Sequence, residues 1–192
     1  MALYFIRHAK VKNNIENCLN WWWSDQDLYI EAFDEFYDNK FIDKLKSLDL
    51  DLIYSSSLKR AYQTADKINE ILDSNIPIIK DSRLNEQDYW EFEWLLVEDL
   101  LEKYSLNYSN ISYLYRTENK YWESWDGFTK RVKDFINYIS KYSYNKNILL
   151  VSHWWTYRAI LYLINSLPLS EAFRKDSFIK NLEIKELDVK NL

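Results

Sequence analysis

The chain contains two histidines, and each stands directly after a short apolar run. His8 follows Leu3-Tyr4-Phe5-Ile6 with Arg7 between, and His153 follows Ile148-Leu149-Leu150-Val151 through Ser152. Apolar runs of that length read as buried strands. Two imidazoles just past the ends of two strands can meet at one rim of a sheet. Imidazole is a nucleophile and a proton carrier near neutral pH. Taken singly, either histidine reads as a satisfied structural residue; their matching places at strand exits argue for chemistry.

Two further side chains fit around such a pair. Arg60 lies in Tyr54-Ser55-Ser56-Ser57-Leu58-Lys59-Arg60-Ala61, where a third apolar segment passes into a helix. A helix start offers free N–H groups and a positive dipole end, and a guanidinium there completes a phosphate cradle. On residue type alone, a surface arginine is the default. Glu86, in Arg83-Leu84-Asn85-Glu86, can give a proton to a leaving alcohol. The default for one of 30 acidic residues is a solvated loop carboxylate.

These groups need a scaffold, and the patterning supplies one. Strands are predicted at 3–6, 51–54, 76–79 and 148–151, with an edge strand at 182–189. Helices are predicted at 33–48, 57–73 (Ser57 as cap), 93–104, 126–142 and 156–165, from apolar residues at helical spacing. Strands alternating with helices imply an α/β three-layer sandwich, a mostly parallel sheet with helices on both faces. Ligands in such sheets sit beyond the carboxyl ends of the strands. No linker or repeat divides residues 1–192, which read as a single domain.

Composition bounds the function. The 192 residues carry a net charge of −5, which argues against a nucleic-acid partner and leaves room for one local basic pocket. No apolar run reaches membrane-spanning or signal-peptide length, so no membrane partner is expected. The single cysteine, Cys18, forms no internal disulfide and fits a reducing compartment, the cytoplasm. No clustered metal-ligand pattern occurs, and a phosphate loop of the Walker type would need glycines the chain lacks. The expected partner is a small phosphorylated substrate, with no cofactor and no metal.

The quoted segments also occur as an ordered set. LYFIRHAK, IYSSSLKRAYQTADKI, RLNEQDYWEFEW and ILLVSHWWTYRAIL resemble, in order, four motifs of the histidine phosphatase superfamily, the phosphoglycerate mutase-like proteins. The resemblance implies that His8 is the nucleophile that takes the phosphoryl group. It implies that Arg7 and Arg60 grip the phosphate oxygens, that His153 contacts the transferring group, and that Glu86 is the general acid. Asn14 falls where the family often has a phosphate-contacting asparagine. The implied activity is a phosphomonoester phosphatase working through phosphohistidine; mutase-type phosphoryl transfer is the alternative. Positive charge from two arginines and an imidazolium would stabilise the transferring group. The segment between Glu86 and the helix at 126 is short, which favours the phosphatase, and it would cap the pocket. Arg116 or Lys120 within it could meet a second anionic group; by default each is a solvated surface charge.

One departure runs through three of the four motifs and beyond them. The chain has one glycine, nine tryptophans and sixteen tyrosines. Ala9 stands where the resembled motif has glycine after the nucleophile. Trp21, Trp90, Trp94, Trp122, Trp154 and Trp155 stand at six further glycine-like places. Indoles at positions needing positive φ or close backbone approach are expected to cost several kcal/mol. The plain default is that several tryptophans, Trp22, Trp23 and Trp125 first among them, are ordinary aromatic core residues and the alignment to glycine places is off. Two other molecules fit the pattern. In one, the gene reads UGA as glycine and the tryptophans are a translation artefact. In the other, they are genuine and the protein binds a phosphoryl ligand with a narrowed or inactive pocket.

Overall fold

The computed structural model describes residues 2–15, 25–88, 99, 102–103, 123–143, 145–167 and 178–188. Five strands are present among them: β1 (Ala2–Arg7), β2 (Leu52–Ser55), β3 (Ile78–Lys80), β4 (Asn147–Ser152) and β5 (Ile184–Leu187). They form one sheet in the order β3-β2-β4-β1-β5. β1 and β2 pair in parallel on either side of β4, and β3 pairs in parallel with β2. β5 lies antiparallel on β1 as the far edge. The register aligns Arg7 of β1 with Ser152 of β4, so both strands end at the same level and each hands the chain to a histidine.

The sheet is covered on both faces, which is why β1, β2 and β4 read as unbroken apolar runs. Leu3, Phe5, Leu52, Tyr54, Ile148 and Leu150 point to a core shared with α4 (Trp125–Tyr142) and α5 (Trp154–Ile164). Ile6, Ile53, Leu149 and Val151 point the other way, to α2 (Asn39–Lys46) and α3 (Lys59–Leu72). A short α1 (Lys12–Ile15) follows the first histidine. The result is the α/β three-layer sandwich.

Local chemistry moves several boundaries. The helix predicted over 33–48 is two elements, a 3-10 segment Ile30–Tyr37 and then α2. Asp38 separates them in extended conformation, and its carboxylate accepts the Phe41 N–H at 3.0 Å. An aspartate that caps a helix start is worth more there than inside one. α3 begins at Lys59 with Leu58 as its cap residue, not Ser57. Ser56 Oγ instead accepts the Leu58 N–H at 3.2 Å. β3 starts after Pro77, which has no N–H to give a ladder. α5 starts at Trp154, two residues earlier than the pattern suggests. The segment 93–104 lies outside the described residues apart from three helical positions, 99, 102 and 103. Among the described residues no helix is long and apolar enough to cross a membrane.

Candidate active site

The two histidines meet. Their ring centroids lie 5.0 Å apart, at the ends of β1 and β4, and both side chains are buried. The strand exits are tied together: the His8 N–H donates to the Ser152 carbonyl at 2.9 Å, and the Ser56 N–H to the Val151 carbonyl at 2.9 Å. Asn181 Nδ2 donates to the His8 carbonyl at 2.7 Å, fixing the outer side of the same turn.

The neighbours set both tautomers. His8 Nδ1 lies 2.7 Å from the Ala9 carbonyl, which can only accept, so Nδ1 carries the proton and Nε2 keeps its lone pair. His153 Nε2 lies 2.8 Å from Ser56 Oγ. Ser56 spends its own proton on Asn85 Oδ1 at 2.8 Å, so Nε2 of His153 is the donor. Nδ1 of His153 is buried and has no hydrogen-bond partner among the described residues. Burial, followed by Arg60 and Arg7, holds His8 well below the usual histidine range, against the opposing pull of the Ala9 carbonyl. Burial first, and then Arg60, His8, Arg7 and Arg131, does the same to His153. Both shifts favour the neutral form of each ring while no anion is bound.

Arg60 sits in the first turn of α3 and is fully buried, not the surface arginine of the default reading. Its helix is pinned to the His8 loop. Thr64 Oγ1 donates to the Arg60 carbonyl at 2.6 Å and accepts the Ala9 N–H at 3.0 Å. Arg7 is part-buried and donates through Nη1 to the Ile179 carbonyl at 3.3 Å. Glu86 is buried and not solvated. Its Oε1 accepts the Gln87 N–H at 3.1 Å and its Oε2 the Trp155 N–H at 3.4 Å. Burial pushes its carboxyl up to about 6, against the opposing pull of Arg60, those two N–H groups and Arg7. Both arginines act electrostatically on both rings and on Glu86, so the five groups form one coupled cluster. Two cations, two neutral imidazoles and a protonatable carboxyl can hold a dianion, attack its centre and hand a proton to a departing group.

Asn14 does not join them in the described contacts; its Oδ1 accepts the Val11 N–H at 3.2 Å, a local loop bond. Cys18, Arg116 and Lys120 lie outside the described residues, as do Trp21, Trp90, Trp94 and Trp122. Trp154 and Trp155 correct an expectation. They open α5, and the described non-glycine residues with left-handed φ are Asp49, Asp73, Ser166 and Leu182. Backbone strain is therefore not the consequence of these two indoles.

Three participants went unread in the sequence. Ser56 and Asn85 lie inside the quoted motifs yet carry the His153 tautomer. Arg131 donates to the carbonyls of Arg83, Asn85 and Glu86 at 2.8, 2.8 and 2.9 Å. Its signal was available: it lies three residues after Phe128 on an apolar helix stripe, where a cation must find buried acceptors. Among the described residues no three of His, Cys, Asp and Glu gather as a metal-holding group.

A mostly parallel sheet with paired histidines and a buried arginine at its carboxyl rim defines a class of α/β protein whose site suits an anion. The chain belongs to the histidine phosphatase superfamily (branch 1), whose sequence profile matches residues 3–191. It is similar to phosphoserine phosphatase 1 of Hydrogenobacter thermophilus, with 34% identity over 123 residues, 64% of this chain and 57% of that protein. The chain thus spans little more than half the length of that relative. A 2,3-bisphosphoglycerate-dependent phosphoglycerate mutase of Bartonella bacilliformis is 28% identical over 176 residues, 88% of this chain and 84% of that protein. Among solved structures, YhfR of Bacillus stearothermophilus has the same fold, with a TM-score of 0.82 over 96% of this chain and 89% of that one, at 18% identity.

Proposed function

We propose that the protein is a metal-independent phosphatase that hydrolyses small phosphomonoesters through a phosphohistidine at His8. The contact between the two neutral imidazoles, 5.0 Å apart at the rim of the sheet, carries this reading. Arg7 and Arg60 take the phosphoryl oxygens. The Nε2 lone pair of His8 attacks phosphorus, the ester P–O bond breaks, and its electrons leave on oxygen. The Glu86 carboxyl gives that oxygen its proton, releasing an alcohol. Water then attacks the phosphorus, Glu86 takes a proton from it, and the P–N bond breaks to free phosphate and neutral His8. Nδ1 of His8 stays hydrogen-bonded to the Ala9 carbonyl throughout. His153 presents Nδ1 to the phosphoryl group, and a bound dianion offsets the arginines and draws a proton onto it.

The family membership and the similarity to a phosphoserine phosphatase support hydrolysis and a small substrate. We also read residues 1–192 as one catalytic domain, and the single cysteine as fitting the cytoplasm. Transfer between two positions of a phosphoglycerate is the second reading, favoured by the near full-length alignment with a mutase. That alignment also removes chain length as a way to separate the two.

Release of inorganic phosphate from p-nitrophenyl phosphate in chelator separates them, since a mutase instead requires a bisphosphate primer and returns an isomer. His8→Ala is expected to lower hydrolysis by on the order of 10⁴-fold or more. Hydrolysis that survives this substitution contradicts the mechanism.

A further inference from the structure

Glu86 is held weakly by its own side chain. Among the described residues its hydrogen bonds come from main-chain N–H groups, at 3.1 and 3.4 Å, and no ion pair joins them. Its place therefore depends on the main chain that carries it. That main chain is gripped at four consecutive carbonyls. Arg131 Nη1 donates to Arg83 O and Asn85 O, and Nη2 donates to Glu86 O. The fourth, Leu84 O, accepts from Ser152 Oγ at 2.6 Å and from Thr156 Oγ1 at 3.3 Å, both from the His153 turn.

The guanidinium has no further donors to give. Its Nε donates to Glu123 Oε1 at 2.7 Å and the second Nη2 proton to Glu123 Oε2 at 2.8 Å, a bidentate ion pair. All five N–H groups are engaged, and the plane is steadied over the Phe128 ring, 4.6 Å from its centroid. Glu123 extends the grip past Glu86: its carbonyl accepts from Gln87 Nε2 at 3.0 Å, and its N–H donates to the Asp88 carbonyl at 2.9 Å.

We propose that Arg131, locked by Glu123, is a positioning residue for proton delivery: it fixes the Arg83–Glu86 main chain so that the Glu86 carboxyl faces the histidine pair. The proposal rests on Glu86 being the general acid. A lysine at 131 keeps the charge and loses the fork that reaches three carbonyls and two carboxylate oxygens together. Arg131 also acts at a distance on His153 through its charge. Arg131→Lys keeps that charge, so a change in the variant reports on the grip on the Glu86 main chain.

Leaving groups tell this from a merely structural role. Glycerol-2-phosphate, an alkyl ester, needs its leaving oxygen protonated; p-nitrophenyl phosphate does not, because nitrophenolate departs unaided. The measured quantity is the alkyl-to-aryl ratio of kcat/KM for the wild type, Glu86→Gln, Arg131→Lys and the milder Glu123→Gln. Glu86→Gln is expected to lower the ratio by on the order of 10²-fold. Arg131→Lys is expected to lower it by about tenfold and Glu123→Gln by less, in the same direction. Either of the last two that folds, by its circular dichroism, decides the matter. A selective Glu86→Gln with an unchanged ratio in the clamp variants overturns the proposal alone. An unchanged ratio in Glu86→Gln overturns the general-acid assignment and the proposal with it.

Discussion

Glu86 and His8 are shifted in opposite senses by the same burial, and that difference sets the working pH. Burial disfavours the charged form of each, raising the carboxyl to about 6 and pushing the imidazole below its usual range. Between those limits the acid is protonated while the nucleophile is neutral, the pair of states the reaction requires. With an alkyl phosphate, kcat/KM is expected to fall by about tenfold per pH unit above about pH 6, as Glu86 ionises. With p-nitrophenyl phosphate that limb should be shallow, and parallel pH–rate profiles check the contrast. The same carboxyl leaves a mark on stability. Its folded value of about 6 exceeds its ordinary 4.5, so the native state holds the proton more tightly than the unfolded chain. The contribution is full below pH 4.5 and lost as pH rises through about 6, an effect of about 2 kcal/mol. Urea unfolding should therefore show the wild type losing about that much relative to Glu86→Gln between pH 4 and pH 8. An unchanged difference would mean the carboxyl is solvated.

At the scale of the elements, the site depends on two loops meeting. Asn85 Oδ1 accepts from Ser56 Oγ, the Ser57 N–H and Ser57 Oγ at 2.8, 2.9 and 2.8 Å, joining the β2–α3 turn to the segment after β3. Asn85 is 1% exposed and Ser56 fully buried, so removing the amide leaves the buried Ser56 hydroxyl without that acceptor, while Ser57 can turn to solvent. Asn85→Ala is expected to destabilise by about 1–3 kcal/mol, lowering the melting temperature by roughly 2–10 °C. It also frees the Ser56 hydroxyl to turn towards His153, so turnover should fall further than the melting temperature explains. The strands were legible in sequence because burial on both faces leaves β1 and β4 as plain apolar runs, and His8 and His153 were legible because they follow those runs. The break at Asp38 was not, since a capping aspartate and a solvated helix aspartate look alike until the chain turns. Nor was Asn85 singled out, because its three partners come from residues 28 and 29 positions earlier, a link that local patterning does not carry.

For the whole molecule, the open question is which residues it contains. One glycine against nine tryptophans is far from the roughly 7% glycine of ordinary chains. The structure changes what the indoles at 154 and 155 mean, because they sit in helical conformation and contribute packing. Trp155 is 2% exposed, its ring centroid 4.7 Å from that of Trp154 and 6.3 Å from that of Trp125. The Arg158 guanidinium lies 4.9 Å from both the Trp154 and Trp155 rings. Glycine at both places would give up about 0.5 kcal/mol each in helix propensity relative to tryptophan. Loss of the buried Trp155 indole would add on the order of 3–5 kcal/mol. The same change would bare the N–H groups that open α5, directly after His153, to close approach by an anion. The two compositions thus trade stability against access. If UGA is read as glycine, tryptic peptides of the native protein will show glycine at 154 and 155, which is the expected result. Recombinant chains should then separate as the physics requires, the six-glycine form melting lower and hydrolysing phosphomonoesters faster than the six-tryptophan form. Tryptophan at both positions in the native peptides would end the recoding reading. The phosphoryl-binding alternative would then have to show that the tryptophan chain binds inorganic phosphate by calorimetry while turning over no ester.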